Sequence, residues 1–104
     1  MAIIDVNELN FEKYVLKNKN IVVVDFNAYW CGSCRMLAPI LEELSEKYKS
    51  IKFFGVDIDK NENLSARFEI SSIPCVVFIK NGKEIARSVG FVAKEKLEDV
   101  IRGL

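Results

Sequence analysis

Apolar and polar positions along the 104-residue chain follow two different periods. Ile21 to Asn27 reads Ile-Val-Val-Val-Asp-Phe-Asn, a nearly continuous apolar run rich in β-branched residues. Such a run fits a strand covered on both faces, as in a parallel sheet. From Gly32 to Tyr48 the period lengthens. Met36, Ile40, Leu41, Leu44 and Tyr48 recur at three- and four-residue steps and predict a helix that buries them. Pro39 lies inside it, where the missing N–H predicts a kink. Ile51 to Ile58 and Cys75 to Lys80 read as further strands. Asn81-Gly82 is a tight hairpin signal leading into Glu84 to Val89. Residues 2–5 predict a short edge strand. Asn7 caps a predicted helix through Leu16, with Leu9, Phe11 and Tyr14 available for packing. Asn61 or Asn63 opens a short helix to Phe68, and Ala93 to Leu104 closes the chain as an amphipathic helix carrying Leu97, Val100 and Ile101.

The order is therefore β-α-β-α-β-α-β-β-α, an α/β pattern. Strand–helix alternation implies parallel crossovers, and the hairpin adds an antiparallel edge. The expected product is a central mixed sheet flanked by helices on both faces. No repeat and no linker interrupts it, so residues 1–104 form one expected domain.

Composition narrows the function. Lys+Arg and Asp+Glu are both 15, so there is no net charge to attract nucleic acid or a membrane surface. The longest apolar stretch, Ile21 to Val24, is too short to cross a bilayer. Met1 to Val6 lacks the basic region of a signal peptide, and a cytoplasmic protein is expected. One domain's length disfavours a large cofactor pocket, so no cofactor is expected. With no histidine, Ser-His and Cys-His catalysis and imidazole-ligated zinc are excluded. The three cysteines do not make a disulfide framework.

Two of those cysteines sit in Trp30-Cys31-Gly32-Ser33-Cys34, where the buried strand gives way to the long helix. Two intervening residues bring both sulfurs together at one helical turn. Cys31 then faces the unpaired N–H groups and positive dipole end of the helix, which favour thiolate over thiol. Thiolate is the attacking species in disulfide exchange. Cys31 is thus the expected nucleophile, and Cys34, one turn inside the helix, the more shielded resolving cysteine. The competing reading is a pair of buried or metal-binding cysteines.

Asp25 interrupts the apolar strand six residues before Cys31. Desolvation there should raise its pKa. It is a candidate acceptor for the Cys34 proton, through water, as Cys34 attacks. The alternative is a carboxylate paired inside the fold or facing solvent at a sheet edge. Pro74 opens a strand, where proline is tolerated. Cys75 fits an inert core cysteine.

Val24-Asp25-Phe26, Trp30-Cys31-Gly32-x-Cys34, Met36-x-Ala38-Pro39-Ile40, Val56-Asp57-Ile58-Asp59, Ile73-Pro74, Phe78-x-Lys80-Asn81-Gly82 and Val89-Gly90 together resemble the thioredoxin family in order and spacing over essentially the full length. The resemblance implies the thioredoxin fold and a dithiol reductant of protein disulfides, recharged by a thioredoxin reductase. It marks Cys31 as nucleophile, Cys34 as resolving cysteine and Asp25 as buried proton acceptor, with Cys31 and Cys34 forming the redox-active disulfide. It makes Pro74 cis, against that disulfide. Trp30, Gly32, Ile73, Pro74 and Gly90 become substrate-binding positions around a shallow groove, where substrate backbone pairs beside Ile73. Four positions depart from the family's usual pattern. Ser33 replaces a proline, Asn27 a tryptophan, Gly55 a lysine near the buried aspartate, and Cys75 a threonine. Ser33 and Cys75 are thereby candidate tuning residues.

Two other readings compete. Cys31, Cys34 and Cys75 could ligate zinc or an iron–sulfur cluster, but three sulfurs fall short of the usual four, and no metal is expected. An interaction module could use the groove without turnover. The expected partners are thioredoxin reductase and disulfide-containing proteins, and the expected state is a monomer.

Overall fold

The computed structural model describes residues 3–104. Its strands are β1 (Ile3–Asp5), β2 (Val22–Asn27), β3 (Lys52–Asp57), β4 (Cys75–Lys80) and β5 (Lys83–Val89). Among the described residues they form one five-stranded sheet in the order β1-β3-β2-β4-β5. β1, β3 and β2 run parallel; β4 and β5 are antiparallel. The helices are α1 (Gly32–Lys47), α2 (Glu62–Arg67) and α3 (Lys94–Arg102). The expected edge strand is present from Ile3; Ala2 lies outside the described residues.

β2 runs through the middle of the sheet, and its period of two feeds two cores. Val22, Val24 and Phe26 pack with Phe11, Val15 and Leu64 on one face. Val23 packs with Leu37, Leu41 and Leu44 of α1 and Leu97 and Ile101 of α3 on the other. Val22, Val23, Val24 and Phe26 are fully buried, and together contribute roughly 6–12 kcal/mol. That exceeds the cost of the one carboxylate among them.

Two local expectations need correction. The segment after Asn7 is not an α-helix. Asn7 caps only a turn, its side chain accepting from the N–H groups of Leu9 and Asn10. A single π-helical turn, Glu12–Leu16, follows, in which the Lys17 N–H reaches the Glu12 carbonyl. Phe11 and Val15 are buried there, but Leu9 is 97% exposed. In α1 the buried face is Cys34, Leu37, Leu41 and Leu44, and Met36 is 60% exposed. Met36-Ile40-Leu44 and Leu37-Leu41-Leu44 are both helical stripes, and periodicity alone does not choose between them. Packing chose the stripe that also carries Cys34 onto the sheet.

The β4–β5 hairpin forms as expected. Asn81 and Gly82 have φ of 52° and 76°, the positive pair that a two-residue turn matching strand twist requires. Gly82 has a second constraint, since a Cβ there would stand 3.1 Å from the Leu16 carbonyl oxygen.

Candidate active site

β2 ends at Asn27, and the chain turns over Ala28 before α1 begins. The Cys31 N–H donates to the Ala28 carbonyl at 3.2 Å and closes that turn. Cys31 is the N-cap of α1, with extended backbone (φ −89°, ψ 111°). Its sulfur does what a serine oxygen does at other caps and accepts from the Cys34 N–H at 3.1 Å. The first turn of α1 holds no acidic side chain. Cys31 and Cys34 are joined as a disulfide, their Cα atoms 5.2 Å apart. Ser33 Oγ lies 3.4 Å from the Cys31 sulfur. Both cysteines are buried against Ala28, with Ile58 and Ile73 packed beside them.

Of the other expected site residues, Ile73 packs beside the pair, and Trp30 and Gly32 adjoin it along the chain. Trp30 is exposed, and its Nε1 donates to Asp59 Oδ2 at 2.7 Å. Arg35 donates to the Tyr29 carbonyl at 2.7 Å, steadying the turn before the disulfide. Gly32 is exposed in the first turn of α1. The Ile73–Pro74 peptide is cis. The Pro74 carbonyl accepts the Gly90 N–H at 2.7 Å, and Gly90 holds a φ of 87°, which favours glycine. Ile73, ahead of β4, and Gly90, just past β5, thus flank Pro74.

Asp25 lies under the site rather than in it. It shares with Cys34 a recess of about 290 Å³ that Asp5, Asn27, Arg35 and Gly55 also line. Burial pushes its pKa up to about 6; a hydrogen bond from Asn27 opposes the rise and the Asp5 charge adds to it. Its Oδ1 has no hydrogen-bond partner among the described residues.

Cys75 does not join the other two cysteines. It packs with Phe26 and Val77 in the core on the opposite face of the sheet from Asp25. Burial pushes its thiol pKa up. Among the described residues no group of three or more His, Cys, Asp or Glu is placed to hold a metal ion. Sequence reasoning did not single out Asp5, Arg35 or Asp59. None stands beside the cysteines along the chain except Arg35, whose role depends on a carbonyl six residues back.

The family model described as thioredoxin matches residues 2–103 of the chain. The chain belongs to the thioredoxin family. It is 41% identical to the thioredoxin of Staphylococcus saprophyticus over 97% of its length and 96% of that relative's. It is 38% identical to the thioredoxin of Mycoplasmoides gallisepticum over 92% and 95% of the two chains. With thioredoxin H-type 1 of Nicotiana tabacum it shares 45% identity over 88% of this chain and 71% of the relative. The mixed five-stranded sheet is the thioredoxin fold. The protein is a thiol–disulfide oxidoreductase, a protein-disulfide reductase, and Cys31–Cys34 is the bond its chemistry makes and breaks. Thioredoxin reductase and disulfide-bearing substrates are the partners the family implies. No helix among the described residues is long and apolar enough to cross a membrane.

Proposed function

We propose that the reaction divides among Cys31, Cys34 and Asp25. The Cys31 thiolate attacks one sulfur of a substrate disulfide. That S–S bond breaks, a Cys31–substrate disulfide forms, and the other substrate sulfur leaves as thiolate. Cys34 gives its proton, through water, to the Asp25 carboxylate. The Cys34 thiolate then attacks the Cys31 sulfur, which expels the second substrate sulfur. Two electrons have passed to the substrate, and Cys31–Cys34 is oxidised. A thioredoxin reductase returns the pair to the dithiol.

The observation that carries this reading is the Cys34 N–H aimed at the Cys31 sulfur at 3.1 Å, which stabilises negative charge there. A base whose pKa is pushed up to about 6 is matched to work near neutral pH. Trp30, Gly32, Ile73, Pro74 and Gly90 receive the substrate, whose backbone pairs beside Ile73. Ser33 tunes the Cys31 sulfur through its hydroxyl. Cys75 tunes indirectly, as a buried protonated thiol adjoining Pro74 in the chain. Residues 1–104 act as one domain and as a monomer. The working compartment is the cytoplasm, where thiols are kept reduced and a thioredoxin reductase can recharge the dithiol.

Insulin reduction driven by a thioredoxin reductase tests the reading. Wild type turns over, and Cys31→Ser is inactive. Cys34→Ser completes one half-reaction and accumulates the mixed disulfide, seen by mass spectrometry. Turnover by Cys34→Ser at the wild-type rate would overturn the assignment.

A further inference from the structure

Asp5, Gly55 and Asp25 form a row across β1, β3 and β2, each in register with the next. Neighbouring strands lie about 4.8 Å apart, so the two carboxylate-bearing backbones are about 10 Å apart with only a glycine between them. A Cβ at Gly55 would stand 2.9 Å from Asp5 Oδ1 and 3.6 Å from Asn27 Nδ2. The missing side chain therefore opens the recess that reaches Asp25 and Cys34. Asn27 follows Asp25 by two residues on the same face of β2. Its amide donates to the Asp25 carbonyl at 3.0 Å and to Asp25 Oδ2 at 3.3 Å.

We propose that Asn27 is a positioning residue for the reaction: it holds Asp25 by Oδ2 and leaves the buried Oδ1 as the seat of the proton taken from Cys34. The inference rests on the reading of Asp25 as proton acceptor. Its chemical basis is the one-way nature of an amide N–H, which donates and cannot accept. An oxygen receiving that donor does not also carry a proton aimed at it. Oδ1, buried and without a partner among the described residues, is then the oxygen that gains the proton. The charged and titratable groups around Asp25 are Asp5 of β1, Tyr29 of the turn before α1, and Cys34, Arg35 and Glu42 of α1, with Cys75 of β4 near enough to feel its charge. β3 presents Gly55 and β4 presents Val76, neither of which titrates. The Asn27 amide favours the ionised carboxylate and the Asp5 charge opposes it.

The test is the pH profile of single-turnover oxidation of the reduced protein by a small disulfide, with the Asp25 carboxyl followed by carbon NMR. Asn27→Ala should move the midpoint and the carboxyl titration up by about one pH unit, a roughly fivefold loss of rate near pH 6 with little change at pH 8. Asn27→Leu, of similar bulk and without a donor, should do the same if alanine destabilises the strand. Asp5→Asn should move both readouts the opposite way, by a few tenths of a unit in order of magnitude. Loosened packing would not produce opposite signs. An unmoved midpoint in both Asn27 variants, or shifts of the same sign at positions 5 and 27, would sink the proposal. Asp25→Asn separates it from its premise. If that variant keeps the wild-type profile, Asp25 is not the acceptor. If it flattens the profile while the Asn27 variants leave theirs in place, only the positioning role fails.

Discussion

The backbone N–H of Cys34 points at the sulfur of Cys31, 3.1 Å away. A helix-start donor held at this distance serves the sulfur as a capping partner in the disulfide and as a counter-dipole in the thiolate. The same contact thus links the stability of α1 to the reactivity of the first cysteine.

Ser33 adds a second polar contact to that sulfur, at 3.4 Å. A hydroxyl able to donate there stabilises the thiolate further. Removing it in Ser33→Ala should slow alkylation of Cys31 at neutral pH about two- to fivefold, the worth of one modest hydrogen bond. The Cys31–Cys34 couple should become correspondingly more reducing. Iodoacetamide kinetics and equilibration with glutathione measure the two effects, and unchanged alkylation would show the hydroxyl to be idle.

Asp25 should weaken the fold once it ionises. Its pKa is pushed from an ordinary 3.8 up to about 6 in the folded chain, chiefly by burial. Below 3.8 both folded and unfolded chains hold the proton, and its burial is tolerated. Between 3.8 and 6 the unfolded chain loses it first, so stability falls as pH rises. The full loss is roughly 3 kcal/mol. Asp25→Asn should therefore be more stable than wild type by up to that amount at pH 8 and equal to it below pH 4. Urea unfolding at several pH values checks this, and a gain independent of pH would contradict the cause given.

Glu98 behaves in the opposite sense. Its buried carboxylate accepts from the Lys47 ammonium and from the Tyr48 hydroxyl, joining α3 to the end of α1. The Lys47 hydrogen bond first, and then that of Tyr48, hold its pKa down at about 2. The stabilisation is complete above 4.5 and is lost as pH falls towards 2. Glu98→Gln should lower the melting temperature at pH 7 and lose that deficit in acid. A deficit that persists at pH 2 would point to shape rather than charge.

Cys75 should be chemically silent in the folded protein. It is buried, and burial pushes its thiol above the ordinary range. Thiol titration of the oxidised protein should find no fast-reacting group until denaturant is added, and then one. Cys75→Val, close in volume, should change stability by less than about 1.5 kcal/mol. Rapid native labelling would instead place this sulfur within reach of substrates.

What could be read along the chain was whatever its chemistry keeps local. The Cys31–Cys34 pair needs one helical turn, the hairpin needs Asn81 and Gly82, and the buried strand shows in four consecutive apolar residues, Ile21 to Val24. Asp25 was visible as a charge in that run because burying it is costly wherever the strand goes. The helical phase of α1 was not legible, since two apolar stripes overlap in it and only the sheet beneath selects Leu37 over Met36. Nor was the π-turn at Glu12–Leu16, where Asn7 caps a turn too short to propagate. The family resemblance set Gly55 near Asp25, but Asp5, which completes the row, was invisible for a stronger reason. The row's members are separated by tens of residues and meet only through strand register. Register is set by the packing of whole faces, so it belongs to the folded sheet and to no segment of the sequence.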